Sequence, residues 1–257
     1  MTTQKGRLGM VLEGKVAVIY GAAGAIGGAI ARAFAREGAS VYLGGRTRDK
    51  LEPLADGIRA KGGMADVGTV DVTDEEAVNA YVDAIAAQAG HVDISVNVIG
   101  LGDVQQPLPE ISVADFLQPV TTAVRTHFLT TKAASRHMMR QRSGVVLAFG
   151  GAGATTMPGL GGFVVALDAI ESLRRQWACD LGPYGIRVVT LKSAGIPETI
   201  PEDFPNRDQI VAGLPPALLG ERATLEDVGN VAAFVASDRA RSLTATAVNM
   251  SAGAMMD

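Results

Sequence analysis

The stretch that decides the fold is VAVIYGAAGAIGGAIA, residues 16–31. It opens with a compact apolar run, Val16–Tyr20, which predicts a buried strand ending at Gly21. A helical pattern follows at once, with apolar residues on one side at Ile26, Ile30, Ala33 and Phe34. A strand that passes through a glycine turn directly into a helix is typical of the first unit of a nucleotide-binding fold.

The glycine turn predicts a site for a pyrophosphate. Gly21, Gly24 and Gly27 allow the backbone to turn tightly and to approach a ligand, while Ala25 and Ile26 begin a helix whose N-terminus attracts anions. Glycine is abundant in this chain, and the alternative reading is a purely structural turn.

Short apolar runs and longer amphipathic ones alternate along the rest of the chain. Further strands are predicted at residues 40–43, 65–70, 93–98, 144–149, 186–191 and 244–250. Helices are predicted at residues 50–61 and 75–88, in a long segment at 113–142 that holds one helix or two, and from residue 161 onward. Continuous apolar strands separated by helices predict an α/β fold: a doubly wound, Rossmann-type parallel sheet with helices on both faces.

The residues after the second strand bear on which nicotinamide cofactor binds. An acidic residue there would hold the ribose hydroxyls of NAD, but this chain has Arg46 and Arg48, with Thr47 between them. A guanidinium at this point can hold a 2′-phosphate, so we expect NADP(H) as the cofactor. The alternative is that both arginines are solvated surface residues.

Composition excludes several classes of protein. The 257 residues are 47% hydrophobic and 19% charged, which suits one large domain spanning residues 1–257. A net charge of −4 without a basic block argues against nucleic acid as a partner. The single cysteine, Cys179, fits a cytoplasmic protein, and the scattered histidines show no metal-site spacing. No apolar run is long enough to span a membrane.

Several motifs resemble the short-chain dehydrogenase/reductase family from Leu12 to Ala254. They are LEGKVAVI, VDISVNVIG, FLTTKAASRHM, DLGPYGIRV, EDVGNVAAFVASD and LTATAVNMSAGA. The resemblance implies a seven-stranded parallel sheet, a nicotinamide cofactor, and a homodimer or homotetramer built on two long helices. It also implies adenine contacts from Asp71 and Val72, a motif after the fourth strand that keeps Asn97 and Gly100, and a cofactor contact from Thr199.

The chain departs from the family at the positions that carry its chemistry. Counted along the motifs, the family's tyrosine is Phe163, its lysine is Leu167, its serine is Gly151 and its asparagine is Ala123. No tyrosine or lysine lies anywhere between Gly144 and Pro183, so a shift of register would not restore them. We therefore expect an apolar and roomier pocket floor that lacks the family's proton donor.

Three residues are candidates to substitute for the missing set: Lys192 after the sixth strand, Asp103 in the loop after Gly100, and His127 one turn beyond Ala123. Each of the three residues could also have an ordinary structural role.

Three functions remain open: NADP(H)-dependent hydride transfer to an activated C=C, C=N or C=O, a catalytically inactive NADP(H)-binding or scaffold protein, and a non-redox enzyme. The expected substrate is small and apolar or of mixed polarity.

Overall fold

A computed structural model describes residues 9–150 and 156–256. The strands are β1 (Val16–Tyr20), β2 (Ser40–Gly45), β3 (Met64–Thr69), β4 (Ile94–Asn97), β5 (Gly144–Phe149), β6 (Ile186–Lys192) and β7 (Thr246–Asn249). The helices are α1 (Ala25–Arg36), α2 (Arg48–Arg59), α3 (Glu75–Ala89), α4 (Val113–Gln141), α5 (Phe163–Leu181), α6 (Arg207–Gly213) and α7 (Leu225–Ala236).

All seven strands are parallel and lie in the order β3-β2-β1-β4-β5-β6-β7. The predicted Rossmann-type sheet is confirmed. The strand order reverses between β1 and β4, and ligands bind beyond the carboxyl ends of the strands at such a point. The glycine turn after β1 begins directly at this crevice.

Strand β1 shows how the sheet is covered on both sides. Ala17 and Ile19 pack into a core formed with α1, α2 and α7, whereas Val16, Val18 and Tyr20 pack against α3, α4 and α5. This alternation follows from the two-residue period of a strand, and every residue of β1 is buried. A strand with two buried faces reads as a continuous apolar run, which is why it could be recognised in the sequence.

Two glycines on neighbouring strands make room for an aromatic ring. A Cβ atom at Gly68 would overlap the ring of Tyr81, and one at Gly44 would lie 3.1 Å from the Cε1 atom of Tyr81. The ring of Tyr81 also meets Tyr20 edge to face, with centroids 6.2 Å apart. Helix α3 therefore packs closely on the sheet through one side chain placed over glycine.

The elements differ from the predicted ones in several places, among them α2, which begins and ends two residues earlier than expected. Strand β3 is displaced by one residue toward the N-terminus, because only Val67 of this edge strand is buried and its apolar pattern is weak. The segment at 113–142 is a single helix that continues through Pro119. Helices α6 and α7 were not predicted from periodicity, and α6 buries none of its residues. No helix in the described residues is long and apolar enough to cross a membrane.

Candidate functional site

The turn between β1 and α1 requires glycine for two separate reasons. Gly21 has a φ of +81°, and a Cβ atom there would lie 2.6 Å from the carbonyl oxygen of Val98. A Cβ atom at Gly27 would overlap the carbonyl of Gly21, so only glycine lets α1 start so close to the turn. The N-terminus of α1 is capped by Gly24 without a side-chain hydrogen bond, and its first turn has no acidic residue. These features fit a bound pyrophosphate.

A cleft of about 510 Å³ opens beside this turn, along the carboxyl ends of β1 to β4. Seven of the predicted cofactor residues line it: Gly21, Gly24, Arg46, Thr47, Asp71, Val72 and Gly100. Ala25, Ile26 and Gly27 lie in the first turn of α1 directly behind. The glycine turn and the ends of three further strands thus form one continuous groove, wide enough for part of a dinucleotide.

The two arginines after β2 have different surroundings. Arg48 forms an ion pair with Glu52, with 2.6 Å between Nη2 and Oε1, and its Nη1 donates to the carbonyl of Val67. Arg46 faces the cleft, as does Lys50 in the first turn of α2. Among the described residues, these two side chains are therefore the cations that fit a phosphate on the adenosine ribose.

Asp71 faces the same cleft as an ionised carboxylate. Its Oδ1 atom accepts a hydrogen bond from the backbone N–H of Thr73 at 2.9 Å and another from the Thr73 hydroxyl at 2.7 Å. These two bonds, together with a smaller contribution from nearby Arg46 and Arg125, hold the pKa of Asp71 below its ordinary value. Arg125 in turn donates from Nε to the carbonyl of Thr73, which ties α4 to this edge of the cleft.

Two predicted cofactor residues do not face the cleft. The side chain of Asn97 points toward α4, where Nδ2 donates to Thr130 Oγ1 at 3.1 Å and Oδ1 accepts from the N–H of Ile99. The hydroxyl of Thr199 donates to the carbonyl of Ile196 at 2.7 Å, within its own turn. In this arrangement both residues shape the loops around the cleft.

Three of the four positions expected from motif spacing to match the family's catalytic residues lie together in an apolar cluster. Phe163 and Leu167, at the start of α5, pack with fully buried Ala123 of α4. The other members are Leu101, Val120, Ala148, Ala166 and Ile170. Gly151, the fourth position, lies outside the described residues. Apolar side chains can exclude water and shape a substrate, but they neither donate nor accept a proton.

The expected extra room is not present on the side facing β5. A Cβ atom at Gly150, the residue after β5, would lie 3.0 Å from the Cδ2 atom of Leu167 and 3.5 Å from Ile170. Gly150 itself has a φ of +139°, which L side chains rarely adopt. Leu167 therefore fills the space next to the end of the strand.

The candidate substitutes are spread over different surroundings. His127 is 3% exposed, and its Nδ1 donates to the carbonyl of Ala123 at 2.9 Å, one turn back in α4. Burial lowers the pKa of His127 to about 4, only partly offset by that hydrogen bond, so the imidazole is neutral at neutral pH. Lys192 is buried at the end of β6, and Asp103 accepts from Gln105 Nε2 at 3.0 Å in its loop.

His127 points away from the cleft into the protein interior. It borders a small cavity of about 10 Å³ lined also by Asn97, Thr131 and Arg174, where its Nε2 atom has no hydrogen-bond partner among the described residues. Tyr20 does not line the cleft either, because its side chain is fully buried, and this burial raises the pKa of its hydroxyl and keeps it protonated. Neither residue is placed to exchange a proton with a ligand in the cleft.

Some residues that line the cleft were not found from the sequence. Lys50, Gln118 and Thr122 are among them. Lys50 had a usable signal, since it lies four residues after Arg46 in the first turn of a helix. Gln118 and Thr122 lie one turn apart on α4 and lead toward Ala123. Within the described residues no three His, Cys, Asp or Glu side chains form a metal-binding group.

Comparison with known proteins agrees with this geometry. A family model described as enoyl-(acyl carrier protein) reductase matches residues 21–255. The uncharacterized oxidoreductase YxbG of Bacillus subtilis strain 168 is 30% identical over 256 residues, which is 95% of this chain and 92% of that protein. The 3-oxoacyl-(acyl-carrier-protein) reductase of Thermotoga maritima is 27% identical over 95% of this chain and 99% of its own.

Solved structures of other dehydrogenases share this fold over almost the whole chain. A short-chain dehydrogenase from Burkholderia cenocepacia in complex with NADP aligns with a TM-score of 0.82 at 26% identity, covering 95% of this chain and 99% of the other. A xylitol dehydrogenase bound to NAD⁺ aligns with a TM-score of 0.83 at 27% identity, covering 94% and 99%. Proteins of this shape thus include binders of both cofactors, and the residues beside the ribose must decide between them.

Proposed function

The chain belongs to the short-chain dehydrogenase/reductase family, whose members bind a nicotinamide cofactor and act as oxidoreductases, and we propose that this member uses NADP(H). Its reaction in this proposal is hydride transfer to an activated C=C, C=N or C=O, by a route that does not use the family's tyrosine, lysine, serine and asparagine. The observation that carries the proposal is a groove lined by two cationic side chains, Arg46 and Lys50, beside an apolar cluster.

The chain's own residues have distinct tasks in binding. The amides at the start of α1 and the glycine turn fit the pyrophosphate, because the turn brings bare backbone to the ligand. Arg46 and Lys50 fit the 2′-phosphate of NADP(H), whereas Arg48 is engaged with Glu52. When bound, the reduced nicotinamide supplies the hydride.

The apolar cluster limits which acceptors can react. A positioned general acid contributes about 10²–10⁴-fold to a rate, and an oxyanion donor contributes a comparable factor. Phe163, Leu167 and Ala123 supply neither. A substrate that needs little assistance at its oxygen or nitrogen is therefore favoured over a simple ketone or alcohol.

Calorimetric titration with NADPH and NADH, followed by single-turnover loss of NADPH absorbance, tests the proposal. The acceptors would include a conjugated enone, an imine, an iminium salt and a simple ketone. We expect tighter binding of NADPH than of NADH, and oxidation of NADPH by at least one activated acceptor. Bound NADPH that no acceptor oxidises would contradict the catalytic proposal and favour a binding or scaffold role.

We also propose that the protein forms a homodimer or homotetramer through α4 and α5. The two helices pack against each other, and their outer surface exposes Val124, Phe128 and Val165. Exposed apolar side chains grouped on paired helices are typical of a subunit interface. Light scattering of the wild-type protein and of Phe128→Asp tests this, since a charge on that surface should shift the mass toward the monomer.

A further inference from the structure

Hydride transfer makes different demands on a site, depending on the charge of the acceptor. Hydride addition to a neutral C=O or C=N leaves negative charge on oxygen or nitrogen, which then needs a proton or a cation. Hydride addition to an iminium cation forms the C–H bond, and the π electrons of C=N⁺ become the lone pair of a neutral amine. Reduced nicotinamide is oxidised to the pyridinium form, and no proton is taken up.

The apolar cluster matches the second kind of acceptor. At the position where the family places an ammonium group, which would repel a cation, this chain has Leu167. At the position of the acidic phenol it has Phe163, a ring that has no proton to give but whose face attracts cations. The replacements therefore remove groups needed for a developing anion and leave surroundings compatible with a cation.

The loops around the site carry the chain's excess of negative charge. The described segments 98–112 and 193–224, after β4 and β6, hold seven carboxylates: Asp103, Glu110, Glu198, Glu202, Asp203, Asp208 and Glu221. Arg207 and Arg222 are their only cations, and Lys192 lies buried just before the second segment. The excess of carboxylates here exceeds the net charge of −4 of the whole chain.

Several of these charges are partly engaged. Arg222 donates from Nη2 to the carbonyl of Leu214 at 2.8 Å, and Arg207 lies 3.7 Å from Asp208. Glu198 accepts from the N–H of Leu225 at the start of α7. Glu110, Glu202 and Asp203 are exposed, so these two loop segments present a net negative field.

The same segments also expose large apolar side chains. They are Leu108, Phe204, Ile210, Leu218 and Leu219. Because these segments follow the carboxyl ends of parallel strands, they surround the edge at which ligands bind in this fold. A ligand with a cationic centre on an apolar skeleton matches both the negative charge and the exposed apolar side chains of these segments. An anionic acyl group matches only the apolar side chains.

We propose that the hydride acceptor is a preformed iminium cation on an apolar skeleton, an inference that rests on the proposed function. The product is the corresponding neutral amine, and the reaction that supplies the substrate is a condensation of a secondary amine with a carbonyl group or an oxidation of a tertiary amine.

A binding experiment tests the charge preference without turnover. The protein saturated with NADPH is titrated with a quaternary tetrahydroisoquinolinium salt, which cannot accept hydride, and with its neutral all-carbon analogue. We expect the cation to bind at least about tenfold more tightly at low ionic strength, with the difference shrinking as salt is added. Equal binding of the two compounds, or tighter binding of the neutral one, would overturn the inference.

Paired variants assign the effect to the loops. Asp103→Asn combined with Glu110→Gln should weaken binding of the cation by about threefold at low salt and leave the neutral analogue unchanged. Glu13→Gln is the matched control and should alter the binding of neither compound. Glu13 is exposed and precedes β1, so it lies at the amino ends of the strands, opposite the loops. An equal effect of the control and the pair would contradict a local role for the loops.

Turnover separates this inference from the proposal on which it rests. NADPH oxidation is compared for an N-methyl dihydroisoquinolinium salt, the parent N–H imine and a neutral enone. We expect the N-methyl salt to react at a rate independent of pH near neutrality, and the parent imine to slow as it loses its proton. Reduction of the enone alone would overturn the inference and leave the proposed function standing. No reduction of any acceptor with NADPH bound would overturn both.

Discussion

The Cδ2 atom of Leu167 lies 3.0 Å from the position that a Cβ atom would take at Gly150. Leu167 thus fills the space beside Gly150, between the first turns of α5 and the end of β5, at the place where the family's serine and lysine are expected. The side chain of Leu167 has no amine, and it occupies the space between the helix and the strand. Leu167 packs there in one apolar cluster with Ala123 and Ile170.

Leu167→Lys should destabilise the protein without creating a carbonyl reductase. The ammonium group would have to leave an apolar cluster or remain there without a partner, which costs roughly 1–3 kcal/mol of unfolding free energy. Leu167→Met keeps volume and polarity and should cost less than about 1.5 kcal/mol. Urea denaturation of both variants measures the difference. Equal stability of the two variants would show that Leu167 is not packed as described.

Arg46→Asp should reverse the cofactor preference. A guanidinium that holds a phosphate contributes about 1.5–3 kcal/mol, so the affinity for NADPH should fall by about 10–100-fold while the affinity for NADH is retained or rises. Arg48→Gln is the control, since Arg48 is paired with Glu52 and should not alter the NADPH/NADH ratio. Calorimetry with both cofactors provides the measurement. A ratio that changes in the Arg48 variant but not in the Arg46 variant would reverse the assignment.

Protonation of His127 should destabilise the protein in mild acid. The folded pKa of about 4 lies below the ordinary value of 6.5, so the unfolded chain binds a proton that the folded protein does not. The penalty is absent above the unfolded pKa and grows as pH falls from 6.5 toward 4, to about 3 kcal/mol. Chemical denaturation of the wild type and of His127→Asn, measured at neutral pH and in mild acid, tests this. The variant should lose less stability than the wild type over this interval, because asparagine keeps a donor for the Ala123 carbonyl but does not titrate.

Gly68→Ala should be far more harmful than an alanine at an unconstrained glycine. Its Cβ atom would overlap the ring of Tyr81, and overpacking of this kind costs about 1–3 kcal/mol. Gly57→Ala, inside α2 with no atom within 4 Å, should instead stabilise the helix by roughly 0.5–1 kcal/mol.

Combining Gly68→Ala with Tyr81→Leu identifies the cause. The double variant should be more stable than the sum of the two single losses, because the smaller side chain relieves the overlap. Strict additivity would show that the glycine is needed for another reason. Thermal and denaturant unfolding of all four proteins supply the cycle.

Most of the fold could be predicted from the sequence, because each of these strands and helices has its own local hydrophobic pattern. Buried parallel strands such as β1 are continuous apolar runs, and the helix after the glycine turn has a clear period. The edge strand β3 and helix α6 were less predictable, since they bury little and carry almost no periodic pattern. The continuity of α4 through Pro119 depends on its tertiary packing and not on helix propensity.

The candidate site was predictable at the level of backbone position and less so at that of side-chain direction. Motif spacing assigned Phe163, Leu167 and Ala123 to two long helices, and the structure places all three in one apolar cluster. The spacing could not show that Asn97 turns toward Thr130, or that the imidazole of His127 bonds back to its own helix. Those directions depend on partners that are remote in the chain or on rotamers.

Because Leu167 fills the space beside the residue after β5, polar groups cannot be added to this site one at a time. A single polar substitution at any one of these positions would place a hydroxyl or an amine among hydrocarbon neighbours, with no companion to satisfy it. A proton-transferring set would therefore have to be introduced by several simultaneous changes, so that each polar group finds a partner.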